Sequence, residues 1–240
     1  MQEAKEYMQG FELCWAAGDK KQVKLLDSPL LVFGDPTRAN ENGTLWIWGE
    51  KGRPAAFLEV YQITGIKSRW FHAVTLTGSQ TVIMKGAGFT WRPEKTQLEP
   101  KLLGDAALPK KKEADRLRQM KELARRFTSH EFWDPDNSRF ELRLLEKPLH
   151  RYQDLAADIQ DGAAFSLANG TNAEAILLIE ALGKSVETSR WHFSLARLGS
   201  AEMAAALDGK EVWHVDVAPG KSRIGQSTDP YWAFYEGAVE

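Results

Sequence analysis

Apolar positions recur every three or four residues at the start of the chain, where Ala4, Tyr7, Met8, Phe11, Cys14 and Trp15 fall on one face. That spacing predicts an amphipathic helix. Gly10 weakens it by about 1 kcal/mol relative to Ala. The same spacing returns at Ala114, Leu117, Met120, Ala124 and Phe127, with Lys112, Arg116, Arg118, Lys121, Arg125 and Arg126 on the opposite face. Elsewhere the period falls to two. Phe140, Leu142 and Leu144 alternate with Arg139, Glu141 and Arg143, which marks a half-buried strand. Leu45–Trp48 and Ala55–Leu58 flank a Gly-containing stretch, and Ala164–Leu167 and Ala175–Ile179 flank Asn169-Gly170-Thr171-Asn172. Both read as β-hairpins. Further strands are expected from Trp70 and Trp191, after Gly78-Ser79, and around Trp213. Ala201–Leu207 is balanced between helix, which Ala and Met favour, and strand, which the matching Thr81–Met84 favours. Residues 99–112, with Pro100, Gly104, Pro109 and a lysine run, read as an exposed linker.

Several of these segments repeat. Ser68-Arg69-Trp70 recurs 121 residues on as Ser189-Arg190-Trp191, Gly78-Ser79 as Gly199-Ser200, and Glu59 as Glu180. Lys24–Leu30 matches Arg143–Leu149 at an offset of 119. Ordered matches of this kind predict an internal duplication. The expected architecture is an α+β fold of two tandem repeats, 1–104 and 105–240. Each would be one helix packed on an antiparallel sheet, the two related by a pseudo-twofold axis.

In each predicted repeat a Glu that ends one strand stands ten residues before an Arg that begins the next: Glu59 and Arg69, Glu180 and Arg190. Both carboxylates sit in runs apolar on both faces. A buried carboxylate needs a partner, so structural ion pairs across the ladder are expected. Trp46 and Trp48 share a strand face. Exposed indoles stack on sugars or anchor a partner, which makes these two the candidate binding residues. The competing reading is that they fill the core.

Composition removes several function classes. The net charge of −2 gives no bulk attraction to nucleic acid. Cys14 is the only cysteine, so no intrachain disulfide forms. No apolar run approaches the ~20 residues of a membrane span, and Met1-Gln2-Glu3-Ala4-Lys5-Glu6 has no signal-peptide pattern. His130-Glu131-Phe132-Trp133 lacks the second His of a metalloprotease helix, and Leu178 stands where a phosphate loop ending in Gly183-Lys184-Ser185 requires Gly. Asp134–Ser138 begins like a calcium loop, but Arg139 and Leu145 occupy its Gly and Glu positions. No cofactor and no metal are expected.

The stretches Arg116-Leu117-Arg118-Gln119-Met120, Phe140–Leu145, Pro148-Leu149-His150-Arg151-Tyr152, Asp161-Gly162-Ala163 and Gly52-Arg53-Pro54 resemble a family of uncharacterised proteins of planctomycete bacteria. The resemblance runs over roughly residues 45–235. It implies an exported or cell-envelope protein and carries no assigned activity. The function expected from the sequence is a non-catalytic binding or interaction module. Its partner would be a protein, a glycan or an envelope component, with neither nucleic-acid binding nor membrane insertion. The alternative is a hydrolase-like enzyme with a site between the repeats, using a nucleophile such as Ser166 or Ser194.

Overall fold

The computed structural model describes residues 2–16, 21–35, 39–63, 65, 69–86, 88–133, 137–218 and 226–235. The chain begins with α1 (Gln2–Met8), β1 (Glu12–Trp15), β2 (Gln22–Val23), β3 (Leu31–Asp35), β4 (Asn40–Trp48) and β5 (Ala56–Ile63). It continues through β6 (Phe71–Leu76), β7 (Val82–Gly86), β8 (Phe89–Trp91), β9 (Lys101–Leu102), α2 (Glu113–Ala124) and β10 (Phe127–Trp133). There follow β11 (Ser138–Asp154), β12 (Ile159–Asn169), β13 (Asn172–Leu182), β14 (Arg190–Arg197), β15 (Glu202–Leu207), β16 (Lys210–Val215), β17 (Gln226–Ser227) and β18 (Tyr231–Tyr235).

Two compact units result. The first comprises residues 1–50, 54–97 and 219–240; the second comprises 51–53 and 98–218. The first carries two five-stranded sheets, ordered β17-β8-β7-β1-β2 and β18-β6-β5-β4-β3. The second carries a single eight-stranded sheet, β16-β15-β10-β11-β12-β13-β14-β9, curled into a half-barrel.

These findings correct the α+β expectation. Among the described residues strand makes up 55% against two short helices, so the fold is mostly β. Two sheets in one unit and one curled sheet in the other do not repeat a helix-on-sheet building block, and the predicted duplication with its pseudo-twofold axis is withdrawn. The likeness that survives is local: β1 lies between β2 and β7, as β10 lies between β11 and β15. The helical spacing misled because it ran past the ends of both helices. Gln9 and Gly10 form a turn after α1, and Phe11, Cys14 and Trp15 belong to the segment and strand beyond. Phe127 likewise opens β10 rather than closing α2. Ala201–Leu207, balanced in sequence, is strand from Glu202.

The first core gathers Ala4 and Met8 of α1 with Leu13, Trp46, Trp48, Leu58, Val74, Met84, Trp91 and Phe234. In the second unit α2 packs on β11, β12 and β13. It delivers Met120, Leu123 and Ala124 to a core with Phe165, Leu177, Ile179, Trp191 and Phe193. Glu113 and Asp115 in the first turn of α2 and Lys121 in the last complement its dipole. The two edges of the curled sheet approach each other: Lys101 Nζ on β9 donates to the Val212 carbonyl on β16 at 2.6 Å. β11 keeps 17 residues in one strand by bulging between Leu145 and His150. Pro148, which has no N–H for the ladder, falls within that bulge. Among the described residues no helix is long and apolar enough to cross a membrane.

A row of register partners crosses the second unit's sheet: Tyr152, Gly162, Glu180 and His192, on β11 to β14 in turn. The Tyr152 ring lies over Gly162. A Cβ there would stand 2.6 Å from Tyr152 Cε2, so only glycine lets the ring reach across to the next strand. Gly162→Ala is therefore expected to lower stability by about 1–3 kcal/mol, read by urea denaturation. An unchanged midpoint would mean that the ring shifts without cost.

Candidate functional site

Most of the residues singled out from sequence lie elsewhere than expected. Trp46 and Trp48 are each only 1% exposed and belong to the first unit's core. Alternation on β4 puts them on the face of Thr44, whose Oγ1 accepts from Trp46 Nε1 at 2.9 Å. They offer no surface to a partner. Glu59 is buried on β5 opposite Ala73. Arg69 precedes β6 and, among the described residues, makes no ion pair with Glu59. Glu180 is opposite His192 rather than Arg190. The exposed Arg190 turns back to the carbonyls of Ser189 and Thr188, at 3.0 and 3.4 Å. In both pairs the ladder register sets a different residue against the carboxylate than the ten-residue spacing implied.

Glu180 has another partner. Arg53 Nε donates to its Oε1 at 2.7 Å and Nη2 to its Oε2 at 2.6 Å, a bidentate pair. The Tyr152 hydroxyl, brought over Gly162, donates to Oε1 at 2.8 Å. All three residues belong to the second unit. Burial pushes the Tyr152 phenol well above its ordinary pKa, and the Glu180 charge reinforces the shift. This closed cluster holds the fold; nothing in it is open to a ligand.

The possible nucleophiles Ser166 and Ser194 are fully buried within β12 and β14. Neither hydroxyl meets a hydrogen-bond partner among the described residues, so no base activates either one. The stretch that begins like a calcium loop includes Asp134, Pro135 and Asp136, which lie outside the described residues.

An open polar site lies at the start of α2. Arg116, assigned by helical spacing to the solvent face, is 4% exposed. Its Nε donates to Asp161 Oδ2 at 2.7 Å, and its Nη1 to the carbonyls of Lys111 and Lys110 at 2.7 and 3.1 Å. From β11, Arg151 grips the same carboxylate: Nε to Oδ1 at 2.9 Å and Nη2 to Oδ2 at 2.6 Å. Nη2 also donates to the Glu113 carbonyl at 2.9 Å. Hydrogen bonding to Asp161 raises the Arg151 pKa, outweighing its partial burial, so the guanidinium stays charged. Two cations thus converge on one anion, and the exposed side chains of Lys110, Lys111 and Lys112 add positive charge nearby. Glu113, at the rim, adds a negative one.

Beside the cluster opens a cavity of about 240 Å³, walled by Arg116, Arg151 and Asp161 and by the amide-bearing Gln153 and Gln160. The amide nitrogens of both glutamines are committed to carbonyls, of Gln160 and Gly183 respectively. Arg116 Nη2 and Arg151 Nη1 have no protein acceptor among the described residues. The site therefore presents spare guanidinium donors, fixed by the remaining hydrogen bonds of the same side chains.

No protein-family model, curated protein or solved structure matches the chain.

Proposed function

We propose that this chain is a non-catalytic binding module whose second unit takes a small oxyanion, a carboxylate or phosphate group, in the cavity beside Arg116 and Arg151. One observation carries the reading: two arginines are locked onto a single buried carboxylate and, among the described residues, each keeps a guanidinium nitrogen without a protein acceptor. Arginine is suited to planar, bidentate oxyanion recognition. Here the donors are held before a ligand arrives, which lowers the ordering cost of binding. The cavity has room for one such group with its near substituents. The sequence resemblance to planctomycete proteins is compatible with an envelope role, and the compartment is a separate proposal.

The test is calorimetric titration with inorganic phosphate and, separately, citrate at low ionic strength. Saturable 1:1 binding with Kd near ~1 mM or tighter is expected. Arg151→Ala leaves the more buried Arg116–Asp161 pair in place and should weaken binding about tenfold or more. The phosphate and citrate arms separate the two kinds of oxyanion. Binding of neither, or equal binding by Arg151→Ala, would refute the proposal.

A further inference from the structure

The first unit contains a titratable group that the anion site does not use. His72 lies on β6, is 0% exposed, and among the described residues neither ring nitrogen has a hydrogen-bond partner. It is caged by aromatic rings. Phe234 of β18, its register partner, stacks on it at 4.4 Å between centroids and 2° between planes. Tyr7 of α1 lies at 5.5 Å, Phe11 at 5.4 Å and Phe89 of β8 at 6.0 Å. On its other side β5 sets Val60 opposite.

The Tyr7 phenol is the titratable group that these elements bring to the ring. Lys5 and Glu6 of α1 and Glu12 of β1 are exposed, Lys85 of β7 is exposed, and the alternation of β5 puts Glu59 on the opposite face. Among the described residues no carboxylate lies in the cage to compensate an imidazolium. A phenylalanine would fill the same slot without burying two polar nitrogens, so the histidine makes this packing conditional on staying neutral.

We propose that His72 is an acid-sensitive latch: it holds the C-terminal strand β18 and helix α1 in place while neutral, and releases them when it takes a proton. Among the described residues β18 is an edge strand paired with β6 alone, and it meets the latch through Phe234; its release would expose the buried Trp232 and Phe234.

The magnitude follows from linkage. Burial pushes the His72 pKa down from 6.5 to about 3, with the Phe234 backbone acting in the opposite direction. The closed form thus binds no proton in the mildly acidic range, whereas an opened form with an ordinary imidazole does. Stability is complete above about pH 6.5 and falls as the pH drops towards 3. Between pH 7.5 and pH 5 the opening equilibrium should rise about 30-fold.

Hydrogen exchange of the β18 amides in the full chain, corrected for intrinsic exchange rates, reads this directly. The wild type should show the roughly 30-fold rise, and His72→Phe should abolish most of it while making opening rarer at pH 7.5. His72→Gln, which is polar but does not titrate, is the second variant should the first fail to fold; it too should lose the rise. No pH response in the wild type, or the same response in a variant without the imidazole, would overturn the latch.

Discussion

Glu180→Ala is expected to lower the unfolding free energy by about 3–5 kcal/mol, the range for removing one partner of a buried ion pair. Three losses combine. The Arg53 guanidinium keeps only 14% side-chain exposure and loses both bidentate acceptors. The Tyr152 hydroxyl loses its acceptor inside the sheet. The vacated space lies in β13, where the ten residues Asn172–Ala181 are all buried. Burial itself opposes the Arg53 charge, while Glu180 keeps its pKa raised; without Glu180 the desolvation of Arg53 stands uncompensated. Glu180→Gln retains an acceptor and should fall between the two proteins. Chemical denaturation at pH 7 gives the values. A loss below about 1 kcal/mol for Glu180→Ala would mean that Arg53 reaches water in the variant and that the pair contributes little.

Asp161→Ala should rank beside it, for a different reason. It leaves two guanidinium groups facing one another with their shared counter-charge gone. The Arg116 and Asp161 side chains are each 5% exposed, so that pair falls in the same range of about 3–5 kcal/mol. Arg151, at 30%, adds less because solvent screens it. The loss should be local at first, since Arg116 also ties the lysine-rich approach to α2 through the carbonyls of Lys110 and Lys111. A second effect separates this site from a purely structural staple. In Asp161→Ala an added oxyanion takes the place of the missing carboxylate. Phosphate should therefore raise the thermal midpoint of the variant more than that of the wild type. If phosphate moves both midpoints equally, its effect is a general salt effect and the cluster binds nothing.

The sequence made some elements plain and hid others for identifiable reasons. Alternation predicted the start of β11, where Leu142 is buried between exposed neighbours Glu141 and Arg143. Asn169-Gly170-Thr171-Asn172 predicted a turn, and β12 and β13 do close there, with Gly170 at a φ of 60°. The site was not legible. Arg53 meets Glu180 across 127 positions of sequence, and no local rule of spacing contains that contact. Arg116 stood among Lys112, Arg118, Lys121, Arg125 and Arg126 as one more cation of a polar face, and only tertiary packing turned it inward. The clue that was available is Gly162: a glycine within a strand pattern marks a close approach, and here it admits the Tyr152 ring. His72 offered another, since it sits in the strongly apolar run from Trp70 to Leu76, all of it buried.

The central claim, that Arg116 and Arg151 together receive an oxyanion, is tested most directly by following the arginine side-chain Nε–H resonances during a phosphate titration. The signals of Arg116 and Arg151 should move together and saturate at millimolar phosphate, while that of the exposed Arg118 on the same helix follows only the change in ionic strength. If Arg116 and Arg151 stay still, or move no more than Arg118, the cavity is a water-filled gap beside a structural ion pair and the binding function is wrong.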